Sequence, residues 1–234
     1  MTSSFRIRAT IAGSMMFAAI AARVISIFLW PSGSDAGHAR ELAAAATHPA
    51  AWYTATWTEA AAWLLAIPTV IVLIGLARRQ GATLVVVGGG GIVLGYAMLG
   101  CAMSSLNAVT GVLAAQPDQA AALHTLNALH ASPALMALSL AVEVGMLCAV
   151  LLAVGLALGH FANWAMLGVT VLIVAASVVT SDSDNHLIIL AGFLPLAALW
   201  AWLALIVFRN GAHHVTESAE APAAIAMPSA ASAG

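Results

Sequence analysis

Three ionisable residues stand inside otherwise apolar runs: Arg23 in IAGSMMFAAIAARVISIFLW, Glu59 in WTEAAAWLL and Glu143 in LSLAVEVGMLC. A charge held in hydrocarbon costs a few kcal/mol unless it is neutralised or finds a partner, and such residues mark ion or substrate paths by default. We read Arg23 and Glu143 as facing inward and sheltering each other, with Glu59 near enough to join them. Ser139 lies one helical turn before Glu143 and can donate to it. Such a centre would bind or conduct a small ligand or a proton. The same pair could equally be a register lock with no chemistry of its own. A catalytic pairing of Glu59 with Glu143 lacks a nucleophile or a phosphate-binding group, so no catalytic residue is assigned.

A second set of residues falls between the apolar runs: Asp35, His38, Glu41, His48, Asp118, His124, His130, Asp182, Asp184 and His186. Imidazole with carboxylate is the ligand set of zinc, copper or nickel. Asp182-x-Asp184-x-His186 would aim three ligands the same way in an extended turn, and His124 and His130 complete the candidate metal set. No HExxH, CxxC or His-x3-His spacing is present, and loops carry such polar residues for solvation alone. A haem is disfavoured, because these histidines sit at helix ends rather than within spans.

The elements that must position these groups are transmembrane. Of the 234 residues, 62% are hydrophobic and 7% charged, with a mean hydropathy of +1.00. Soluble domains carry about a quarter charged residues, so the solvent of this chain is a lipid bilayer. A formal net charge of −2 leaves no broad basic surface, which argues against nucleic acid as a partner. We predict an all-α bundle over residues 1–210, with six spans at about 10–30, 51–77, 82–105, 133–158, 164–180 and 187–208. The Ala/Ser/Pro-rich stretch 211–234 is predicted to be a disordered cytoplasmic tail.

The N-terminus imitates a secretory signal, with Arg6, Arg8, an apolar run and small residues near Ala22. Apolar character resumes after Arg23 and ends at Trp30-Pro31, so a retained first span is the reading, with cleavage as the alternative. ARELAAAATH and DQAAALHTLNALH are predicted to be short helices on the outer membrane surface, the second in a long loop spanning 106–131. Arg6, Arg8, Arg78, Arg79 and Arg209 fall on one side of this topology and only Arg40 on the other, which puts both termini in the cytoplasm. Gly91-x-x-x-Gly95 and Gly155-x-x-x-Gly159 would let helices approach closely. Cys101 and Cys148 fall at different depths, which argues against a disulfide. Trp30, Trp52 and Trp57 suit the interfacial belt, whereas Trp63, Trp200 and Trp202 lie deeper, where an indole N–H wants a partner.

Two stretches, WTEAAAWLLAIPTVIVLIGLARRQG and AGFLPLAALWAWLALIVFRNG, resemble the six-span bacterial membrane proteins of domain-of-unknown-function family 4386. The resemblance implies a bacterial inner membrane and supplies neither an activity nor site residues. Two functional readings therefore stand. In the first, the Arg23, Glu59, Glu143 and Ser139 centre serves a small ligand or proton, or locks a scaffold that meets a membrane-protein partner or a second copy, with no cofactor. In the second, a membrane enzyme or metal-binding protein uses the outer His/Asp cluster with zinc or copper.

Overall fold

The computed structural model of the chain describes residues 2–31, 37–76, 81–160, 164, 168–173 and 185–220, without the side chains of 2–4, Met146 and 210–220. The regular elements among them are all helical: α1 Thr2–Leu29, α2 His38–Thr47, α3 Pro49–Leu76, α4 Ala82–Ala97, α5 Ser104–Ala114, α6 Gln119–His130, α7 Pro133–Leu158 and α8 His186–Glu220. A π-helical stretch, Met98–Met103, joins α4 to α5. Five helical runs are long and apolar enough to cross a membrane: Phe5–Leu29, Pro49–Leu76, Ala82–Ala114, Pro133–Leu158 and His186–Arg209. The span expected at 164–180 falls mostly outside the described residues, within which 168–173 are helical. The backbone of α8 runs to Glu220, so the described part of the expected tail is helical, and 221–234 lie outside the described residues.

The third run differs from expectation. It continues through the π stretch to Ala114, a helix of 33 residues, where the sequence predicted a loop from 106. Ser105, the last residue of the expected span, and Thr110, which read as a loop residue, donate their hydroxyls to the carbonyls of Cys101 at 2.6 Å and Leu106 at 3.2 Å. That local bonding lets Ser and Thr sit inside a helix without an orphaned hydroxyl. The two short surface helices form as predicted, α6 opening on Asp118, whose carboxylate accepts the Ala121 N–H at 3.0 Å. With the ends of α3 and α5 they bury Leu42, Ala45, Trp52, Leu113, Ala122 and Leu126, a small core that caps one end of the bundle.

Below the cap the helices pair by small residues. On α1, Ala12, Ala19 and Ser26 are fully buried, and the Thr69 hydroxyl of α3 donates to the Ala12 carbonyl at 2.7 Å. Gly13 leaves room for the Phe208 ring of α8, whose nearest atom would stand 2.6 Å from a Cβ there. The start of α1 therefore lies beside the end of the apolar part of α8, opposite the cap.

Between α4 and α7 the approach is backbone to backbone. A Cβ on Gly145 would stand 2.9 Å from Gly95 Cα, one on Gly88 2.7 Å from the Cys148 carbonyl, and one on Gly155 2.8 Å from the Val85 nitrogen. No Cβ survives at such distances, so glycine is required here. The α4 series Gly81, Gly88, Gly95 steps by seven residues, the repeat of a left-handed crossing. Gly91 meets the Cys148 side chain, which puts Cys148 about 15 Å deeper than Cys101, ten residues further along the same run. Both thiols are free.

Candidate functional site

Just below the cap, α1 presents Arg23 to α3. The guanidinium pairs with Glu59 Oε1 through Nη1 and also donates to Ser26 Oγ at 3.2 Å. Ser26 Oγ donates in turn to the Arg23 carbonyl at 2.9 Å. The other carboxylate oxygen, Glu59 Oε2, accepts the Trp30 indole N–H at 3.1 Å. Both oxygens of Glu59 are thus engaged. The pair is only partly shielded, with side chains 18% and 19% exposed. Beneath it, Trp63 lies under the guanidinium, ring centroid to Cζ 5.6 Å, a cation–π contact that offsets part of the cost of holding Arg23 there.

Trp63 begins an aromatic group that leads inward. Its ring lies 5.4 Å from Tyr96 and 5.6 Å from Trp200, whose indole N–H donates to the Tyr96 hydroxyl oxygen at 2.8 Å. Phe193 stands edge-on to Trp200 at 5.9 Å. The Trp63 N–H is buried without a partner among the described residues. Beside this group lies a cavity of about 80 Å3, lined by Trp63, Tyr96, Thr170, Trp202 and otherwise by aliphatic side chains and Gly95 and Gly145 of α3, α4, α7, α8 and the 168–173 helix. Tyr96 and Leu99 flank the start of the π stretch on this wall, and wide helical turns of this kind recur at functional sites.

The pairing expected between Arg23 and Glu143 is not formed. α7 turns Gly145, Cys148 and Leu152 toward α4, which places Glu143 on the outward face with the exposed Met136, Leu140 and Leu147. Ser139 is exposed on α7 as well. Among the described residues α7 makes no contact with α1. The close-packing requirement at Gly145 fixed the rotation of α7, and two residues along a helix is about 200°, so Glu143 had to face away.

The expected metal set also divides. Asp182 and Asp184 lie outside the described residues, His124 is exposed on α6, and His186 starts α8. His130 instead meets two residues of α2 that carried no specific assignment, His38 and Glu41. One ligating atom from each of the three lies within 4.8 Å of the others. The His38 and His130 rings stand 4.0 Å apart, and His38 Nδ1 donates to Asn127 Oδ1 at 2.6 Å. Burial, and then the neighbouring His38, push the His130 pKa below the usual histidine range. The sequence carried half of this signal, because His38 and Glu41 at i and i+3 share one face of a short helix. No protein-family model matches this chain, and no curated protein or solved structure matches it.

Proposed function

We propose that this chain is a six-span bacterial inner-membrane protein, both termini cytoplasmic, that binds a small lipid-soluble molecule inside its bundle, with Arg23–Glu59 as the lock that fixes α1 on α3. The observation that carries the ligand reading is the apolar cavity bordered by Trp63 and Tyr96. The Trp63 N–H has no acceptor, and Tyr96 uses its hydroxyl oxygen as an acceptor, with no acceptor found for its proton among the described residues. An apolar cavity edged by unspent donors suits a ligand with a hydrocarbon body and an acceptor oxygen, a carbonyl above all. At about half of a benzene-holding cavity, the space takes one chain end or the edge of a ring, the remainder of the molecule extending toward lipid.

Conduction of protons is less well supported. Glu59 is saturated by Arg23 and Trp30, and the aromatic group rather than a polar file lies below it. The sixth crossing has independent support. Gly155 near the end of α7 packs on Gly81, away from the cap, while α8 starts beside Ile20 and Val24 in the cap-side half of α1. These placements support a crossing between α7 and α8, for which 164–180 is the stretch read as the fifth span.

A short-chain quinone, added to protein in nanodiscs, tests the ligand. Trp63 and Trp202 border the cavity, so tryptophan emission should be quenched saturably, and Ala153→Leu, which fills the cavity wall, should abolish the saturable part. Quenching that rises linearly in both proteins would reduce the cavity to a packing defect.

A further inference from the structure

His38 is the first residue of α2 and Glu41 lies one turn on, while His130 is the last residue of α6. Two surface helices from different parts of the chain therefore converge with two imidazoles and a carboxylate at the cap. We propose that His38, Glu41 and His130 form a binding site for a divalent transition-metal ion of the zinc class, bridging α2 to α6. The reading is independent of the cavity in the bundle, and its ligand set differs from the loop residues that the sequence alone suggested.

Three features of the geometry support it. The candidate ligand atoms lie within 4.8 Å of one another, and a tetrahedral ion with bonds near 2.0–2.1 Å holds its ligands about 3.3 Å apart. An ion would have to draw the outermost pair together by at most about 1.5 Å. His130 Nε2 is buried with no hydrogen-bond partner, an orphaned ring nitrogen of the kind a metal satisfies. With the Asn127 amide oxygen as acceptor, His38 carries its proton on Nδ1, which leaves the Nε2 lone pair for an ion and holds the ring in place.

Two imidazoles with one carboxylate disfavour magnesium and calcium, which select oxygen. The set is that of zinc, with copper and nickel as competitors of higher intrinsic affinity. Three protein ligands leave a fourth position for water or an exogenous group, the arrangement of an open rather than a closed zinc site. Binding would staple the α2–α6 cap above Trp30 and Trp52 and so stiffen the end of the bundle beside the Arg23–Glu59 lock.

The test uses the full chain with its affinity tag removed, stripped with chelator in detergent and titrated with Zn2+ and, for its visible spectrum, Co2+. One saturable equivalent is expected, with the intense d–d bands of four-coordinate cobalt. His38→Gln and His130→Gln should each weaken binding by at least about tenfold, the loss that even outer-shell changes cause. His48→Gln and His124→Gln, exposed and outside the cluster, should bind like the unaltered protein. Should either cluster histidine variant fail to fold, Glu41→Gln carries the same expectation. The absence of a saturable equivalent in the unaltered protein overturns the proposal, as does a loss that follows His124 or His186 in place of His38 and His130. An octahedral, weakly absorbing cobalt spectrum overturns it too.

Discussion

Glu59 is held by two groups, the Arg23 guanidinium of α1 and the Trp30 indole just past its end, and the consequence of removing it depends on what remains behind. Glu59→Ala leaves the Arg23 guanidinium without its carboxylate and the Trp30 N–H without an acceptor. Because the pair is partly exposed, a loss of about 1–3 kcal/mol is expected, read as a lowered unfolding midpoint in detergent. Replacing both charges, Arg23→Met with Glu59→Met, should recover most of that loss, as apolar substitutes for an ion pair commonly do. If the double variant is as unstable as the single one, the lock reading fails and the charges serve something other than register. Glu143 makes the opposite forecast. On the outward face of α7 it holds no helix in place, so Glu143→Gln should not lower the unfolding midpoint, and removing a charge that faces lipid should if anything raise it. At the cap, His130 titrates below its ordinary value, so the unfolded chain takes up a proton before the folded one does. Between the ordinary histidine pKa and the lowered one the unfolded state binds more protons, and stability falls as pH falls through that window. His38 and Glu41 face His130 there. His130→Asn should flatten the slope of unfolding midpoint against pH between about 7 and 5.

At the scale of elements, α4 and α7 are joined by a surface that has almost no side chains. Gly145→Val should force the backbones apart, since even a Cβ at that position stands 2.9 Å from Gly95 Cα. Overpacking of this kind costs about 1–3 kcal/mol, and a cavity walled by both helices should change volume with it. Gly90, one residue from the contact row, has nothing within 4 Å of a Cβ. Gly90→Ala should therefore leave stability unchanged or raise it by up to about 1 kcal/mol. Thermal unfolding of the two variants side by side separates a required glycine from a tolerated one. The same interface explains how far the fold could be read from sequence. Apolar length and aromatic placement were enough for α1, α3, α7 and the apolar part of α8, and Asp118 announced α6. Depth was legible as well, because Glu59 and Glu143 each lie ten residues into their helices, at α3 from Pro49 and α7 from Pro133. Depth does not choose neighbours. Arg23 stood level with both carboxylates, and the choice fell to which helix packs on α1, which short apolar motifs do not encode. A glycine row cancelled the charge argument by rotating α7. The α5 extension was hidden because its Ser and Thr hydroxyls bond to their own helix, and composition counts them as loop residues.

Among the described residues the molecule is a bundle closed at one end by a small core of surface helices, with Gly13 of α1 packed on Phe208 of α8 toward the other. This asymmetry gathers the chemistry-bearing residues on one side. His38, Glu41 and His130 lie in the cap, Arg23 and Glu59 lie one to two turns beneath it, and the aromatic group and cavity follow below. A membrane protein built this way should report its orientation through three exposed positions. Gln116 lies at the cap end, between α5 and α6. His160 lies just past α7, at the far end, and Asn185 precedes α8, back at the cap. In a Cys101→Ala, Cys148→Ala background, Gln116→Cys and Asn185→Cys should react with a membrane-impermeant maleimide added to intact cells. His160→Cys should react only after the membrane is opened. The expected outside face follows from the proposed orientation by arginine distribution, and the expected difference between His160 and Asn185 from the proposed fifth span. Equal labelling of those two positions would remove the sixth span and leave an odd number of crossings. Labelling of His160→Cys alone in intact cells would invert the protein and turn the cap, with its histidines, toward the cytoplasm.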